Sequence, residues 1–147
     1  MVEMTRHAAG TPSWADVSCP DIDAGIQFYG ELFGWEIEKG MPEFGYYSIA
    51  HLGGRTVVGV APVIPGSEAP PAWGTYLATD DADATARAVR AGGGSMLVEP
   101  MDVGTQGRML VAVDPAGAVF GAWQAGEHTG AQLVNEGATD VPVGART

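Results

Sequence analysis

Residues 12–35 read PSWADVSCPDIDAGIQFYGELFGW, and residues 71–92 read PAWGTYLATDDADATARAVRAG. Aligned on Pro-x-Trp, the two stretches follow one plan. Trp73 lies 59 positions after Trp14, and Asp21 and Asp80 each lie seven after their own tryptophan. In the first stretch Trp14 to Cys19 reads as a strand, and Asp21 is placed to cap a helix. Ile22, Ile26, Tyr29, Leu32 and Phe33 then fall at helical spacing and share one face. Gly34 ends that helix, because glycine tolerates the left-handed conformation found at helix C-termini. In the second stretch Trp73–Thr79 reads as a strand, Ala82–Ala91 as a short helix and Gly92-Gly93-Gly94 as its stop.

The repeat continues outward from both stretches. Gly45 matches Gly107 and Gly59 matches Gly121, each 62 positions apart. Strands are expected at Trp35–Lys39, Tyr46–Leu52 and Arg55–Val60, with Gly53-Gly54 as a hairpin turn. Their counterparts are Ser95–Glu99, Arg108–Val113 and Val119–Gln124, with Asp114-Pro115-Ala116-Gly117 as a tight turn. Residues 62–71 carry four prolines in ten positions and form a linker. The expected organisation is one α+β domain over 12–126, built from two tandem βαβββ units with a cleft between them. Unit one covers about 12–61 and unit two about 72–126. Residues 1–11 are expected to be a flexible N-terminus and 127–147 a loose tail.

Composition narrows the function classes. At 147 residues the chain suits one domain that buries about two-thirds of its unfolded surface. Its net charge is −11, Lys39 is the only lysine, and the six arginines are scattered. That leaves no basic face to neutralise phosphates, so nucleic acid is not an expected partner. No apolar run approaches the ~20 residues of a membrane span, and the N-terminus lacks the apolar core of a secretory signal. A lone Cys19 allows no internal disulfide, which suits a reducing cytoplasm.

With these pieces in order, the chain resembles the vicinal oxygen chelate superfamily of glyoxalase I, extradiol dioxygenases, fosfomycin-modifying enzymes and bleomycin-resistance proteins. Asp21 to Tyr29 looks like that family's first helix, Leu32-Phe33-Gly34-Trp35 like its exit, and Asp114-Pro115-Ala116-Gly117 like the turn before the last strand. The likeness covers about residues 12–126. More narrowly, the chain is similar to actinobacterial glyoxalase-like proteins in which the whole domain occurs twice. The run Gly126 to Glu136 looks like the linker between their two copies. The resemblance therefore implies a homodimer, in which a second copy stands in for the other half.

Metal-dependent members of the superfamily hold an ion with His, Gln or Glu at four positions, on the first and last strands of each unit. Carried onto this chain, those positions fall on Trp14, Trp73, Gly59 and Gly121, and none offers a side-chain donor. The resemblance thus implies a site without a metal or other cofactor, its cavity refilled by indole. His7 and His128 lie in the termini and His51 in a hairpin, so no histidine supplies a substitute.

Strand alternation puts Trp14, Asp16 and Ser18 on one face. The same rule puts Trp73, Thr75 and Leu77 in the cleft from unit two, and Trp123 beside Val119 and Gly121. These are the expected ligand-binding residues, with Arg108 as a candidate for an anionic group. Asp16 between indoles would lose hydration, which raises its pKa and suits a general acid or base. The competing readings are a solvated Asp16, a solvated Arg108 and tryptophans that are simply core. Cys19 is expected to turn inward. The leading functional expectation is a metal-independent protein that binds a small apolar or aromatic molecule in its cleft, as in natural-product resistance or sequestration. The alternative is a metal-free isomerase, cyclase or lyase of secondary metabolism with Asp16 as acid/base. A third is a dimeric interaction module.

Overall fold

The computed structural model describes residues 2–134. In chain order the elements are β1 (Val2–Glu3), β2 (Pro12–Cys19), α1 (Ile22–Phe33), β3 (Glu36–Glu38), a 3-10 turn (Pro42–Phe44), β4 (Ser48–Leu52) and β5 (Arg55–Pro62). Then come β6 (Trp73–Ala78), α2 (Ala82–Ala91), β7 (Ser95–Val103), β8 (Gly107–Val113), β9 (Val119–Ala125) and β10 (Leu133–Val134). Asp21 caps α1 by accepting the Ala24 amide at 3.1 Å, and Gly34 closes it with φ 68°.

Eight strands form one sheet in the order β3-β4-β5-β2-β6-β9-β8-β7. Each unit fills one half, and the halves join where β2 and β6 run antiparallel. Within each half the first strand lies parallel to the last, with Asp16 beside Gly59 and Tyr76 beside Gly121. The two helices cover one face. Val17, Cys19 and Val60 are buried with Ile22, Ile26 and Tyr29 packed against them. Ala82, Ala86, Leu110, Ala112 and Ala122 form the matching core under α2. The opposite face is left for the cleft.

The join corrects the repeat by one residue. Trp14 pairs with Tyr76 and Asp16 with Gly74, so the local two-fold exchanges Trp14 with Gly74 and Asp16 with Tyr76. The first strands are therefore offset by 60 positions, not 59. The cause lies in the doublet Asp80-Asp81. Asp81, not Asp80, caps α2 by accepting the Ala84 amide at 2.9 Å. A slip of one residue exchanges the two faces of a strand. Trp73, Thr75 and Leu77 consequently share the helix face, and Gly74 and Tyr76 face the cleft.

The termini also differ from expectation. β1 pairs with β10, and the Ala131 amide donates to the Ser13 carbonyl at 2.7 Å. Gln132 accepts the Thr56 amide on its side chain at 3.0 Å and donates its own amide to the Thr56 carbonyl at 2.9 Å. Residues 127–134 thus cross back over the junction of β2 and β5 instead of hanging loose. The rest of the expected tail, 135–147, lies outside the described residues.

Candidate functional site

The exposed face of the sheet curves around a cavity of about 730 Å³. Its walls are Trp14, Tyr47, Tyr76, Met109, Trp123 and His128, with Asp16 among them. Glu38, Lys39, Phe44, His51 and Gln106 are also part of the lining. Rings and thioethers dominate, and few polar groups converge, which is the make-up of a small-molecule site.

A chain of polar contacts organises the Asp16 end. The Trp14 indole N–H donates to the Tyr47 hydroxyl at 2.8 Å, and that hydroxyl donates to Asp16 Oδ2 at 3.1 Å. The Tyr76 hydroxyl approaches the same carboxyl from the other unit. Burial pushes the Asp16 pKa up, and the two phenols pull it only part of the way back. Burial and the neighbouring carboxylate also push both tyrosine hydroxyls above their ordinary values, so they stay protonated. Asp16 thus sits in the cavity with a raised pKa and two neutral phenols around it.

The glycines of the last strands explain how the phenols fit. A Cβ at Gly59 would overlap the Tyr47 hydroxyl, and a Cβ at Gly121 would overlap the Tyr76 ring. Expectation placed indole in that space; phenol occupies it in both halves. Trp14 does line the cavity. Trp73 does not: its indole N–H donates to the Tyr29 hydroxyl at 3.2 Å and its ring packs edge-on to Tyr29. By the two-fold, Gly74 replaces Trp73 as the counterpart of Trp14. The four family positions are then Trp14, Gly59, Gly74 and Gly121, and their side chains do not fit a divalent ion. No group of three or more His, Cys, Asp or Glu side chains suited to a metal occurs among the described residues.

Of the other candidates, Trp123 faces the cavity, with its indole N–H donating to the His128 carbonyl at 2.8 Å. Ser18 instead exchanges hydrogen bonds with the Ala72 backbone at 3.2 and 3.3 Å and stitches the two units together. Thr75 and Leu77 face the helices. Arg108 bonds Asp83 at 2.9 Å and Asp102 at 3.0 Å, so its charge is already answered outside the cavity. Cys19 is buried beneath α1, and burial pushes its thiol pKa up, which disfavours the reactive thiolate.

Tyr76, Tyr47 and His128 are among the cavity residues that escaped the sequence. Tyr76 was turned away by the one-residue slip, and the second aspartate of the doublet was the signal for it. Tyr47 precedes β4 and follows Tyr46, whose φ of 60° re-aims the chain. His128 had no periodic signal at all. Its backbone is fixed by a turn in which Gly126, Glu127 and His128 donate to Gln106, Thr105 and Gln106 carbonyls. A Cβ at Gly126 would meet those carbonyls, so the turn needs glycine. The His128 ring then stands edge-on to Trp14 at 4.4 Å, and burial lowers its pKa.

The fold recurs in solved proteins. Methylmalonyl-CoA epimerase bound to methylmalonyl-CoA aligns with a TM-score of 0.60 at 16% identity, covering 84% of this chain and 99% of that one. The epimerase of Mycobacterium tuberculosis aligns at 0.58 and 15%, covering 80% and 90%. In sequence, the Mycobacterium tuberculosis protein named "Putative glyoxylase CFP32" is 43% identical over 95% of this chain and 55% of its own length. The Streptomyces peucetius protein named "Anthracycline biosynthesis protein DnrV" is 40% identical over 88% of this chain and 52% of its own. The chain therefore spans about half the length of these curated relatives. The family model of the glyoxalase/bleomycin resistance protein/dioxygenase superfamily matches residues 11–121, and the chain belongs to that superfamily.

Proposed function

We propose that the cleft binds a small, largely apolar or aromatic molecule without the help of a metal ion. The observation that carries this is the cavity itself: about 730 Å³, walled by indole, phenol and thioether, with one buried carboxyl. Flat aromatic ligands stack well on such walls. The absence of side-chain donors at Trp14, Gly59, Gly74 and Gly121 supports a metal-free site. Binding alone would suffice for sequestration of a natural product, and a relative named for anthracycline biosynthesis fits a polycyclic aromatic ligand. Saturable quenching of tryptophan emission by a panel of aromatic compounds, each recovered unchanged, is the expected result. A panel with no saturable member would end this reading, and stoichiometric Zn, Ni, Fe or Mn in untagged protein would end its metal-free part.

A second reading rests on one observation, the raised pKa of Asp16 in the cavity. In it the protein is an isomerase, cyclase or lyase, and Asp16 moves the proton. Turnover lost in Asp16→Asn with ligand affinity kept would favour this enzyme over sequestration. The working unit in either case is a homodimer in the cytoplasm. An exposed aromatic cluster on α1, with Phe28 58% and Phe33 52% exposed beside Tyr29 and Trp73, supports a partner surface. The lone buried Cys19 supports a reducing compartment. A monomeric mass from light scattering at high concentration would remove the dimer.

A further inference from the structure

His128 lines the cleft, yet nothing in the network around Asp16 uses it. Its backbone is held at both ends, the amide by the Gln106 carbonyl at 3.1 Å and the carbonyl by the Trp123 indole at 2.8 Å. Its ring is held as well, edge-on to Trp14 at 4.4 Å and tilted against Trp123 at 5.7 Å. Side chains fixed this thoroughly are positioned, not incidental. However, Nε2 has almost no surface open to water and meets no hydrogen-bond partner among the described residues.

A buried polar atom is nearly always paired, so an orphan on a ring that lines a cavity asks what completes it. If the ring served only to pack between two indoles, phenylalanine would do so without the cost of an unmet nitrogen. We propose that His128 is a specificity-determining residue of the cleft, which selects planar aromatic ligands that carry a hydroxyl group. The ligand's ring lies among Trp14, Tyr47, Tyr76 and Trp123, and its hydroxyl pairs with the His128 imidazole. A neutral imidazole offers one lone pair and one N–H, and a hydroxyl can meet either. A half-turn of the ring exchanges Nε2 with Cε1 at little change in outline, so the nitrogen can adjust to the ligand. This assignment rests on the aromatic-cleft reading above and adds what the cleft discriminates.

The test compares 2-naphthol with naphthalene, two probes of nearly equal shape that differ by one hydroxyl. Dissociation constants come from equilibrium dialysis with the wild type and His128→Phe, whose folding is checked by thermal unfolding. The wild type should favour 2-naphthol, and the preference should fall about tenfold in His128→Phe, the size of one hydrogen bond to a buried group. The ratio of ratios cancels the difference in apolarity between the probes. An unchanged ratio would overturn the assignment while leaving the aromatic cleft intact, as when the hydroxyl goes to Asp16. Binding of neither probe would instead remove the aromatic-cleft reading and the assignment with it. Nitrogen-15 NMR of the wild type is the readout if His128→Phe does not fold. The His128 ring resonances should shift much further with 2-naphthol than with naphthalene, and equal shifts would overturn the proposal.

Discussion

Asp16 brings a carboxyl into a wall of rings, and that placement has a thermodynamic signature. Burial raises its pKa in the folded state. A carboxyl whose folded pKa lies above its unfolded value binds its proton more tightly when folded, so it destabilises the fold at neutral pH, where it is charged in both states. The cost fades as pH falls through the folded pKa and the buried group becomes neutral. Asn at position 16 stays neutral and keeps an oxygen for the Tyr47 hydroxyl. Asp16→Asn is therefore expected to be more stable at pH 7, by a few degrees in Tm if the effect is on the order of 1 kcal/mol. The gain should shrink towards acid pH. A gain that did not depend on pH would show that the charge of Asp16 is not its source, and a loss at pH 7 would show that the phenols outweigh the burial. Trp14 and Asp16 were readable from sequence because alternation from a correctly placed Asp21 decides their face. Tyr76 was not, because the same count from Asp80 starts one residue early.

At the scale of elements, the slip itself is testable. Asp81 accepts the Ala84 amide, whereas Asp80 precedes the cap. Asp81→Ala should cost about 1 kcal/mol, the usual worth of an N-cap, and Asp80→Ala should stay within about 0.5 kcal/mol. Denaturant titration of both variants decides it, and equal losses would return Asp80 to the repeat. The glycine–tyrosine pairs provide a second measurement. Gly59 lies in β5 directly under the Tyr47 hydroxyl. Gly59→Ala should cost about 1–3 kcal/mol through overpacking, and Gly59→Ala with Tyr47→Phe should cost less than the sum. Strict additivity would mean that the tyrosine does not depend on that gap. Element positions were legible because caps and glycine stops lie in local sequence. Thus α2 has its expected bounds, Ala82–Ala91, and α1 ends at Gly34 as expected. The packing of glycine against tyrosine was legible only as an empty position, because sequence does not say which ring fills it.

At the scale of the whole molecule, the two halves and the crossing segment make one object. Composition, doubled spacing and turn chemistry were enough to place both units and the cleft, since each unit repeats its own local signals. The crossing of residues 127–134 left no such trace. It is held by main-chain groups and by scattered polar side chains, among them His7, Thr56, Trp123 and Gln132, and none of these needs a hydrophobic period. Gly130 is where it meets the sheet: its φ is 110°, and a Cβ there would overlap the Ser13 carbonyl. Next to it, the Ala131 amide donates to that same carbonyl, and Gln132 is clamped on Thr56. Gly130→Ala should therefore lift the segment from β2, because an L side chain is strained at that φ and has no room. The expected cost is about 1–3 kcal/mol in denaturant titration. The optical result is more specific than the energetic one. His128 stands two residues before Gly130 and covers Trp14 and Trp123. Loosening the segment should expose both indoles and move tryptophan emission to longer wavelength while the far-ultraviolet circular dichroism stays native. If Gly130→Ala keeps both the stability and the emission of the wild type, the segment is not a wall of the cleft. If it loses both together with His128-dependent ligand preference, the wall and the site share one piece of chain.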